Sequence, residues 1–379
     1  MTSPPSPATS PGFSAIDHAM MAHALRLAER GAYTTRPNPM VGCVLVHGDE
    51  IVGEGFHARA GEAHAEVLAV QAAGDRAKGA TAYVTLEPCA HTGRTGPCTE
   101  VLVAAGVARV VAAMVDPFPQ VDGAGFERLR AAGIEVASGL MQAQARALNR
   151  GWLSRIERGR PWVRVKLATS LDGRSALSSG ESKWISCAAS RHDVHRWRAR
   201  AGAIITGAGT VLADDPSLTV RLCDDEAGHE FVAPLRVVLD PGLATVKRGR
   251  VREGPAPTLY LHAPEVKLPR ELDVDHAAIA VNAGRFDLGA VLKLLSRRDI
   301  NEVQLEAGAT LAGAFFHAGL VDELLLYVAP VLLGAHARPL FDGLDINTMT
   351  ERLQLRIVDS RRVGDDIRLL LQPQPQVTA

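Results

Sequence analysis

The segment GEAHAEVLAVQAAGDRAKGATAYVTLEPCAHTGRTGPCTE, residues 61–100, carries the most informative chemistry of the chain. It contains one imidazole, two thiols and a carboxylate, which belong to His64, Cys89, Cys98 and Glu66. Three nitrogen or sulfur ligands with an open fourth position are typical of a catalytic zinc site, and a nearby acid that does not bind the metal can transfer protons. No further Cys or His lies at an obvious ligand spacing. We therefore predict a zinc ion that activates water.

The apolar periodicity around this segment predicts alternating helices and strands. The predicted helices are 16–28, 64–73, 99–105, 125–132 and 141–157, and the predicted strands are 40–46, 51–55, 81–86 and 107–114. This alternation is typical of a three-layer α/β domain. His64 is expected in the first turn of its helix, where Glu66 can stay beside the metal-bound water.

The sequence Arg158-Gly159-Arg160-Pro161 interrupts this pattern and predicts a domain boundary. Beyond it, strands are predicted at 162–168, 203–206, 236–239, 258–262, 303–306 and 323–329, with helices at 188–200, 288–298 and 310–317. The second half is therefore also α/β. The predicted organisation is a disordered tail (1–15), a zinc-dependent domain (16–159), a second enzyme domain (160–372) and a loose tail (373–379).

Composition favours a small-molecule enzyme. The 379 residues include 41 basic and 42 acidic side chains, so the charge gives no indication of a nucleic-acid or membrane-surface partner. The five cysteines are too few and too scattered for a disulfide framework, which favours a reducing cytoplasm. No apolar run reaches the roughly 18 residues of a membrane span.

Two glycine-rich stretches in the second half suggest nucleotide binding, although each signal is weak alone. Gly207 to Leu212 lacks the third glycine of a dinucleotide fingerprint, and Gly308 to Gly313 has P-loop spacing without the following lysine. Glu306-Ala307-Gly308 ends a predicted strand and Thr310 opens a helix. Backbone N–H groups at such a helix start suit a phosphate.

The first half resembles the zinc-dependent deaminase superfamily, and in particular the bifunctional deaminase–reductase family of riboflavin biosynthesis. The resemblance is carried by residues 36–42, 61–66 and 85–98, whose two cysteines are further apart than in the usual Pro-Cys-x-x-Cys signature. It implies a cytidine-deaminase-like fold in which His64, Cys89 and Cys98 hold zinc and Glu66 transfers protons. It also places Asn38 in the pyrimidine pocket, and His91 and Arg94 either face the substrate or lie in a solvated loop.

The second half resembles the reductase domain of the same family, which is similar in fold to dihydrofolate reductase and uses NADPH. The matching segments are 166–173, 180–185, 210–221 and 306–313, in the family's order. The implied cofactor contacts are Ala168, Trp184, Thr210, Asp214, Gly308, Ala309, Thr310, Leu311, Ala312, Gly313 and Ala314. The implied substrate contacts are Ser182, Arg198, Leu218, Arg221 and Glu306. Ala168 and Ala307 stand where relatives often carry glycine.

The resemblance implies two consecutive reactions. Hydrolytic deamination of 2,5-diamino-6-(5-phosphoribosylamino)pyrimidin-4-one is followed by reduction of the ribosyl chain, which gives 5-amino-6-(5-phosphoribitylamino)uracil. Arg198 and Arg221 can grip the substrate phosphate, unless they are surface charges. Lys166 or Asp214 can supply the proton that accompanies the hydride, although Asp214 could belong to a simple turn. Trp184 packs on the nicotinamide or in the core.

Two rival hypotheses belong to other classes. One is a nucleic-acid or free-nucleoside deaminase with an appended binding module, and NADPH oxidation by the second half would argue against it. The other is a non-enzymatic protein with a structural zinc and a nucleotide-sensing domain, which requires a fourth protein ligand. We expect a homo-oligomer, a dimer or tetramer through the reductase domain, with no nucleic-acid or membrane partner.

Overall fold

The computed structural model describes residues 12–90, 96–118, 121–222, 230–247, 249–268 and 273–374. The chain divides into two compact units, Met1–Glu157 and Arg158–Ala379. This division falls two residues before the boundary expected from the sequence. Among the described helices, none has both the length and the apolarity needed to cross a bilayer.

The first unit contains one five-stranded sheet between two layers of helices. Its helices are α1 (Ala15–Glu29), α2 (Ala65–Ala73), α3 (Cys98–Ala104), α4 (Ala124–Ala131), α5 (Gln142–Leu148) and α6 (Arg150–Arg158), the last of which extends one residue past the division. Its strands are β1 (Gly42–His47), β2 (Glu50–Phe56), β3 (Thr81–Val84), β4 (Arg109–Ala112) and β5 (Glu135–Ser138). The strand order is β2-β1-β3-β4-β5, in which β3, β4 and β5 are parallel and β1 is antiparallel to both neighbours.

Two separate apolar cores explain the three layers. Met21 of α1 and Trp152 of α6 pack on one face of the sheet, whereas Ala69 of α2, Leu102 of α3 and Phe126 of α4 pack on the other. Successive side chains of each strand point to opposite faces of the sheet, so each strand contributes to both cores. The predicted three-layer α/β fold is confirmed.

Two features of this unit differ from the sequence prediction. The expected helix 141–157 is two helices, because Asn149 leaves the helical conformation and its side chain pairs with the backbone of Met40. Met40 N–H donates to Asn149 Oδ1 at 2.8 Å, and Asn149 Nδ2 donates to Met40 O at 2.9 Å. Strand β5 was not predicted, since only one of its four residues is buried.

Close packing of α2 on β2 fixes the start of α2. A Cβ atom on Gly53 would lie 2.2 Å from Ala69 O, and one on Gly55 would lie 2.6 Å from Ala65 O. Only glycine allows this approach of a strand to a helix backbone. The zinc-binding end of α2 is therefore held directly against the sheet.

The second unit is built on a nine-stranded sheet. Its helices are α7 (Ala188–Arg200), α8 (Ala208–Asp214), α9 (Leu288–Arg297) and α10 (Ala309–His317). Its strands are β6 (Trp162–Ser170), β7 (Arg174–Ala176), β8 (Ala203–Gly207), β9 (Leu235–Leu239), β10 (Thr258–His262), β11 (Asp275–Ala278), β12 (Val281–Asn282), β13 (Arg285–Phe286), β14 (Glu302–Leu305), β15 (Glu323–Ala329), β16 (Arg338–Pro339), β17 (Leu355–Val363) and β18 (Asp366–Pro373). The order of the large sheet is β11-β10-β9-β8-β14-β6-β15-β18-β17.

The order of this sheet creates a topological switch point. The strands from β11 to β15 are parallel, and β18 and β17 complete the sheet in antiparallel pairing. From β8 the chain continues outward to β9, whereas from β14 it crosses to β15 on the other side. Ligands of open α/β sheets bind at the carboxyl ends of strands at such a point.

The ends of the chain differ in part from the prediction. Helix α1 begins at Ala15, capped by Ser14, and β18 extends to Pro373, so both expected tails are one residue too long. Residues 1–11 and 375–379 lie outside the described part. Strands β17 and β18 were not predicted, because β17 is a largely exposed edge strand without a continuous apolar run.

Candidate active sites

The three predicted metal ligands converge in the first unit. Cys89 follows β3, Cys98 is the first residue of α3, and His64 is the N-cap residue of α2 rather than part of its first turn. His64 Nδ1 lies 3.2 Å from Cys98 Sγ and 3.7 Å from Cys89 Sγ. All three ligand atoms lie within 4.8 Å of one another. The backbone at His64 is extended, with φ of −75° and ψ of 164°, rather than helical as predicted.

The two thiols differ in pKa because they are hydrogen-bonded to one another. The hydrogen bond from Cys98 lowers the pKa of Cys89 to about 4, while the same bond raises the pKa of Cys98. Cys98 N–H also donates to Cys89 Sγ at 3.4 Å. A thiolate, a second thiol and an imidazole nitrogen at these separations match the soft donor set of zinc. Within the described ranges, no fourth His, Cys, Asp or Glu joins this group.

Glu66 lies beside the cysteines without belonging to the ligand group. Its side chain is buried, with 3% of the residue exposed. Burial first, and then the charge of Cys89, raises the pKa of Glu66 to about 7. A carboxyl group with this pKa can both accept and release a proton near neutral pH.

Asn38 lies near the metal-ligand group together with one residue that the sequence analysis did not single out, His57. Asn38 Nδ2 and His57 Nε2 are 3.0 Å apart, and the His57 ring lies edge-on to the His64 ring with centroids 5.1 Å apart. His57 Nδ1 lies 3.2 Å from Ala63 O, and burial lowers the pKa of its ring. A neutral His57 thus orients Asn38. His57 directly follows β2, which was the only indication in the sequence that it could reach the site, because it lies in no recognisable motif.

Two further carboxyl groups support the site. Glu87 accepts hydrogen bonds from the backbone N–H groups of Gly123 at 3.1 Å and Gly125 at 2.9 Å, which fixes the start of α4. Burial raises the pKa of Asp116, which the sequence analysis did not single out, to about 7. His91 and Arg94 lie outside the described residues.

In the second unit, three polar side chains form one row across the central strands. Gln304 of β14 is paired with Arg164 of β6 and with Ile204 of β8. Two residues further along each strand, Lys166, Glu306 and Thr206 therefore stand side by side at the switch point. Thr206 Oγ1 is buried without a hydrogen-bond partner. Parallel register brings these residues together, and sequence spacing could not show it.

Glu306 is bound to Arg198. Arg198 Nε lies 2.6 Å from Glu306 Oε1 and Arg198 Nη2 lies 2.7 Å from Oε2, while Arg198 Nη1 donates to Thr219 O at 2.9 Å. Burial alone would raise the pKa of Glu306, but Arg198 and Lys166 lower it to about 2. Burial lowers the pKa of Lys166. Glu306 and Thr219 engage three of the five N–H donors of Arg198, and its contact with the substrate stays a prediction.

Arg221 and Leu218 differ in what they offer a ligand. Arg221 is exposed, and its Nη1 lies 3.0 Å from Thr219 Oγ1. Leu218 is 3% exposed and packs in a core with Ile204 and Tyr260. The Leu218 side chain therefore faces the core, and a substrate contact of this residue, which stays a prediction, would involve its backbone. Its backbone adopts φ of 49°, which turns the chain towards Arg221.

The two glycine-rich stretches follow adjacent parallel strands. Helix α8 continues from β8, and α10 follows β14 with Gly308 as its N-cap. Cβ atoms on Gly209 and Gly308 would meet nothing within 4 Å. No side chain caps the first turn of α10. Open space and free N–H groups at the switch point fit the phosphates of a dinucleotide.

Part of the predicted cofactor segment is buried. Ala312 is 0% exposed, and a Cβ on Gly313 would lie 1.9 Å from Asp342 O. Gly313 is therefore required for packing, and contacts predicted for these two residues are not available to an outside ligand. Within the predicted cofactor segment 308–314, the accessible residues are Gly308 to Leu311, with Ala314 half-buried.

The other predicted reductase residues lie around the carboxyl ends of these strands. Ala168 pairs with Tyr327 of β15, Thr210 lies on α8, and the backbone oxygen of Asp214 accepts from Lys183 Nζ at 3.2 Å. In the loop between β7 and α7, Ser182 O accepts a hydrogen bond from Ile185 N–H. Trp184 is 69% exposed beneath the guanidinium of Arg191, so the core alternative for Trp184 is wrong.

Each half of the chain matches a described family. Residues 14–114 match the cytidine and deoxycytidylate deaminase zinc-binding region, and residues 161–369 match the RibD C-terminal domain. The riboflavin biosynthesis protein RibD of Escherichia coli (strain K12) is 48% identical over 362 residues, which cover 94% of this chain and 99% of that protein.

Solved structures match over the same extent. Acinetobacter baumannii RibD, form 1, has a TM-score of 0.89 and 45% identity, and the match covers 95% of this chain and 99% of the other. The diaminohydroxyphosphoribosylaminopyrimidine deaminase/5-amino-6-(5-phosphoribosylamino)uracil reductase of Thermotoga maritima has a TM-score of 0.83 and 32% identity, with the same coverage.

Proposed function

The chain belongs to the RibD family, and we propose that it performs both reactions named for the Thermotoga maritima relative. It is a bifunctional enzyme of riboflavin biosynthesis, with a zinc-dependent deaminase and an NADPH-dependent reductase. The deaminase hydrolyses the 2-amino group of 2,5-diamino-6-(5-phosphoribosylamino)pyrimidin-4-one. The reductase converts the ribosyl chain of the product into ribityl. The convergence of His64, Cys89 and Cys98 beside a buried Glu66 carries this proposal.

In the deaminase, His64, Cys89 and Cys98 would hold zinc, and Asn38 would contact the substrate ring. Zinc supplies a Lewis acid that makes water nucleophilic near neutral pH. Glu66 accepts the proton of the attacking water and returns it to the departing ammonia. A pKa of about 7 suits both transfers, because neither form of the carboxyl group is strongly favoured. His57 holds the Asn38 amide in place through their 3.0 Å contact.

In the reductase, the Gly308–Leu311 backbone and the open glycine Gly209 would hold the phosphates of NADPH, and Trp184 would pack on its nicotinamide. NADPH supplies the hydride. Arg221 grips the substrate phosphate, while Arg198 keeps Glu306 ionised and in position. Of the two candidate proton donors we propose Lys166, because Lys166 stands beside Glu306 at the switch point. Burial lowers its pKa, which eases release of its proton.

We further propose that the protein is a cytoplasmic homo-oligomer. The cysteines at 43, 89, 98 and 187 are free thiols, as a reducing compartment requires. Strand β17 is a sheet edge with exposed apolar side chains, including Ile357 at 59% and Val358 at 45% exposure. An unpaired edge of this kind suits association with a second copy of the chain.

Replacing Glu66 tests the proposed function most directly. In full-length Glu66→Gln we expect one zinc per chain to remain, while ammonia release falls by about 10²- to 10⁴-fold because the proton carrier is lost. The rate of NADPH oxidation with the deaminated substrate should stay within about twofold of the wild-type rate, since Glu66→Gln changes no residue of the reductase unit. Zinc content, ammonia and NADPH are measured separately.

Glu62→Gln is the matched control, because Glu62 is an exposed carboxylate in the same segment. It should leave all three quantities unchanged. Ammonia release near the wild-type rate in Glu66→Gln would exclude Glu66 as the proton carrier. A wild-type enzyme that releases ammonia but oxidises no NADPH would remove the reductase half of the proposal.

A further inference from the structure

His195, on the inner side of α7, connects the buried part of the reductase site to Arg221. The residue is 7% exposed. Its Nε2 lies 3.3 Å from Arg221 Nη2, and its Nδ1 lies 3.1 Å from both Thr219 O and the backbone N of Arg221. One imidazole thus faces the side chain and the backbone of the same arginine.

The donor pattern determines which form of the ring this arrangement accepts. A guanidinium nitrogen can only donate, so the contact with Arg221 Nη2 requires a lone pair on Nε2 and a ring proton on Nδ1. Nδ1 then donates to Thr219 O instead of accepting from the backbone N–H of Arg221. The other neutral tautomer would accept only from the backbone N–H of Arg221. A protonated ring would lose both contacts with Arg221. The site therefore requires a neutral His195.

The contact with His195 restricts the side chain of Arg221, which is exposed. Arg221 Nη1 lies 3.3 Å from Ser217 Oγ and 3.0 Å from Thr219 Oγ1, so His195 supplies the hydrogen bond to the other terminal nitrogen. An arginine loses considerable rotamer entropy when it binds a ligand. A guanidinium that is already held loses less, and binds an anion more tightly.

We propose that His195 is a positioning residue of the reductase, which aims Arg221 at the substrate phosphate and thereby favours phosphorylated over unphosphorylated substrates. This inference rests on the proposed function, which assigns the phosphate to Arg221. Because the ring acts through Arg221, its contribution is to substrate binding and not to hydride transfer.

The charges around the ring agree with this role. Burial first, and then Arg198 and Arg221, lowers the pKa of His195 to about 4, although Glu306 opposes this effect. The ring therefore stays neutral across the physiological range. The acceptor nitrogen that Arg221 requires is available throughout that range.

The test compares His195→Leu with His195→Gln in the full-length enzyme. For 5-amino-6-(5-phosphoribosylamino)uracil, we expect His195→Leu to raise the reductase KM about tenfold, with kcat within about twofold. Glutamine can accept from Arg221 and donate to Thr219 O, so His195→Gln should restore KM to within about twofold. With the dephosphorylated substrate, all three proteins should have the same KM.

Four further measurements keep the outcomes distinct. The melting temperature and the KM for NADPH report whether His195→Leu has folded, and if it has not, His195→Gln and His195→Asn carry the comparison. His192→Leu, at an exposed histidine of the same helix, should leave KM unchanged. In an Arg221→Gln background, His195→Leu should have no additional effect on KM.

Each contrary result has a specific meaning. If Arg221→Gln leaves the KM for the phosphorylated substrate unchanged, the phosphate assignment fails and this inference fails with it. If Arg221→Gln raises KM but His195→Leu does not, the inference alone is wrong. An equal rise in the KM of His195→Leu for the phosphorylated and the dephosphorylated substrate would also overturn the inference.

Discussion

Two buried carboxyl groups of the first unit show how the number of hydrogen-bond partners separates structural from catalytic residues. Asp17 accepts from Ser14, Tyr83 and Arg109, with contacts of 2.7 to 2.8 Å. Burial alone would raise the pKa of Asp17, but these donors lower it to about 2. Glu66 has few donors, so burial raises its pKa to about 7. Of these two groups, only Glu66 can exchange a proton near neutral pH.

Asp17 should make the first unit sensitive to acid. Because its pKa is depressed in the folded protein, its contribution is present above about pH 4 and is lost as the pH falls through about 2. The contribution amounts to about 2 kcal/mol. Urea unfolding in EDTA, which removes zinc effects, should show that Asp17→Asn lowers the free energy of unfolding at pH 7 more than at pH 2.5.

Asp49→Asn, at the exposed turn of the β1–β2 hairpin, is the control for this measurement. It should leave the free energy of unfolding unchanged at both pH values. An Asp17→Asn effect of the same size at pH 7 and pH 2.5 would contradict the role assigned to the charged carboxylate.

At the scale of elements, the position of α2 determines the deaminase site. Helix α2 carries Glu66 in its first turn and His64 at its N-cap. Gly53 and Gly55 of β2 bring the sheet against the backbone of this helix. A small displacement of α2 therefore moves a metal ligand and the proton carrier together.

Gly55→Ala should disturb the zinc site through this packing. The added Cβ would lie 2.6 Å from Ala65 O and 2.6 Å from Leu68 Cβ, so α2 must shift, at a cost of about 1–3 kcal/mol. We expect weaker zinc binding in a chelator competition and a lower rate of ammonia release. NADPH oxidation should not change.

Gly12→Ala introduces the same methyl group where nothing lies within 4 Å. Zinc affinity in that variant should equal the wild-type value. If Gly55→Ala also binds zinc with wild-type affinity, the packing of β2 does not determine the ligand geometry.

Helix α10 allows a test of the cofactor site. Gly308 has φ of −70° and ψ of 175°, which any residue can adopt, and open space beside it. Gly308→Leu should therefore leave the melting temperature unchanged. It should raise the KM for NADPH more than about tenfold, because the side chain would fill the space assigned to the phosphates.

The comparison for this variant is Ala318→Leu, which adds bulk at the exposed opposite end of α10. That change should leave the KM for NADPH at its wild-type value. An unaltered KM in Gly308→Leu would place the cofactor elsewhere.

At the scale of the whole molecule, each unit supplies the described residues of one active site. The metal-binding group lies in Met1–Glu157, and the Lys166–Glu306–Thr206 row lies in Arg158–Ala379. The second unit presents a nine-residue sheet edge, β17, with the exposed apolar residues Ile357 and Val358. Association of copies is therefore expected through the reductase half.

Charges on β17 should dissociate the oligomer. We expect the wild-type protein to have the mass of a dimer or larger by light scattering, and Ile357→Lys/Val358→Lys to have the mass of a monomer. Met349→Lys, at a 75% exposed residue outside the strands, is the control and should not change the mass. A wild-type monomer, or an undissociated double variant, would exclude this interface.

Local chemistry made much of the protein predictable from its sequence. The bounds of α7, β10 and β15 were predicted correctly, because their apolar periodicity is continuous. The zinc ligands and Glu66 stand in short motifs, so residue type and spacing were sufficient to predict that His64, Cys89 and Cys98 converge.

Contacts between distant residues decided the rest. His57, Asp116 and His195 lie in no recognisable motif, and only packing brings them to the sites. Asn149 divides a predicted helix because its partner, Met40, is 109 residues away. Leu218 was expected at the substrate but is buried in a core. Sequence by itself determined which chemical groups are available. Tertiary structure decided which of them meet, because strand register and helix packing set distances that spacing along the chain does not encode.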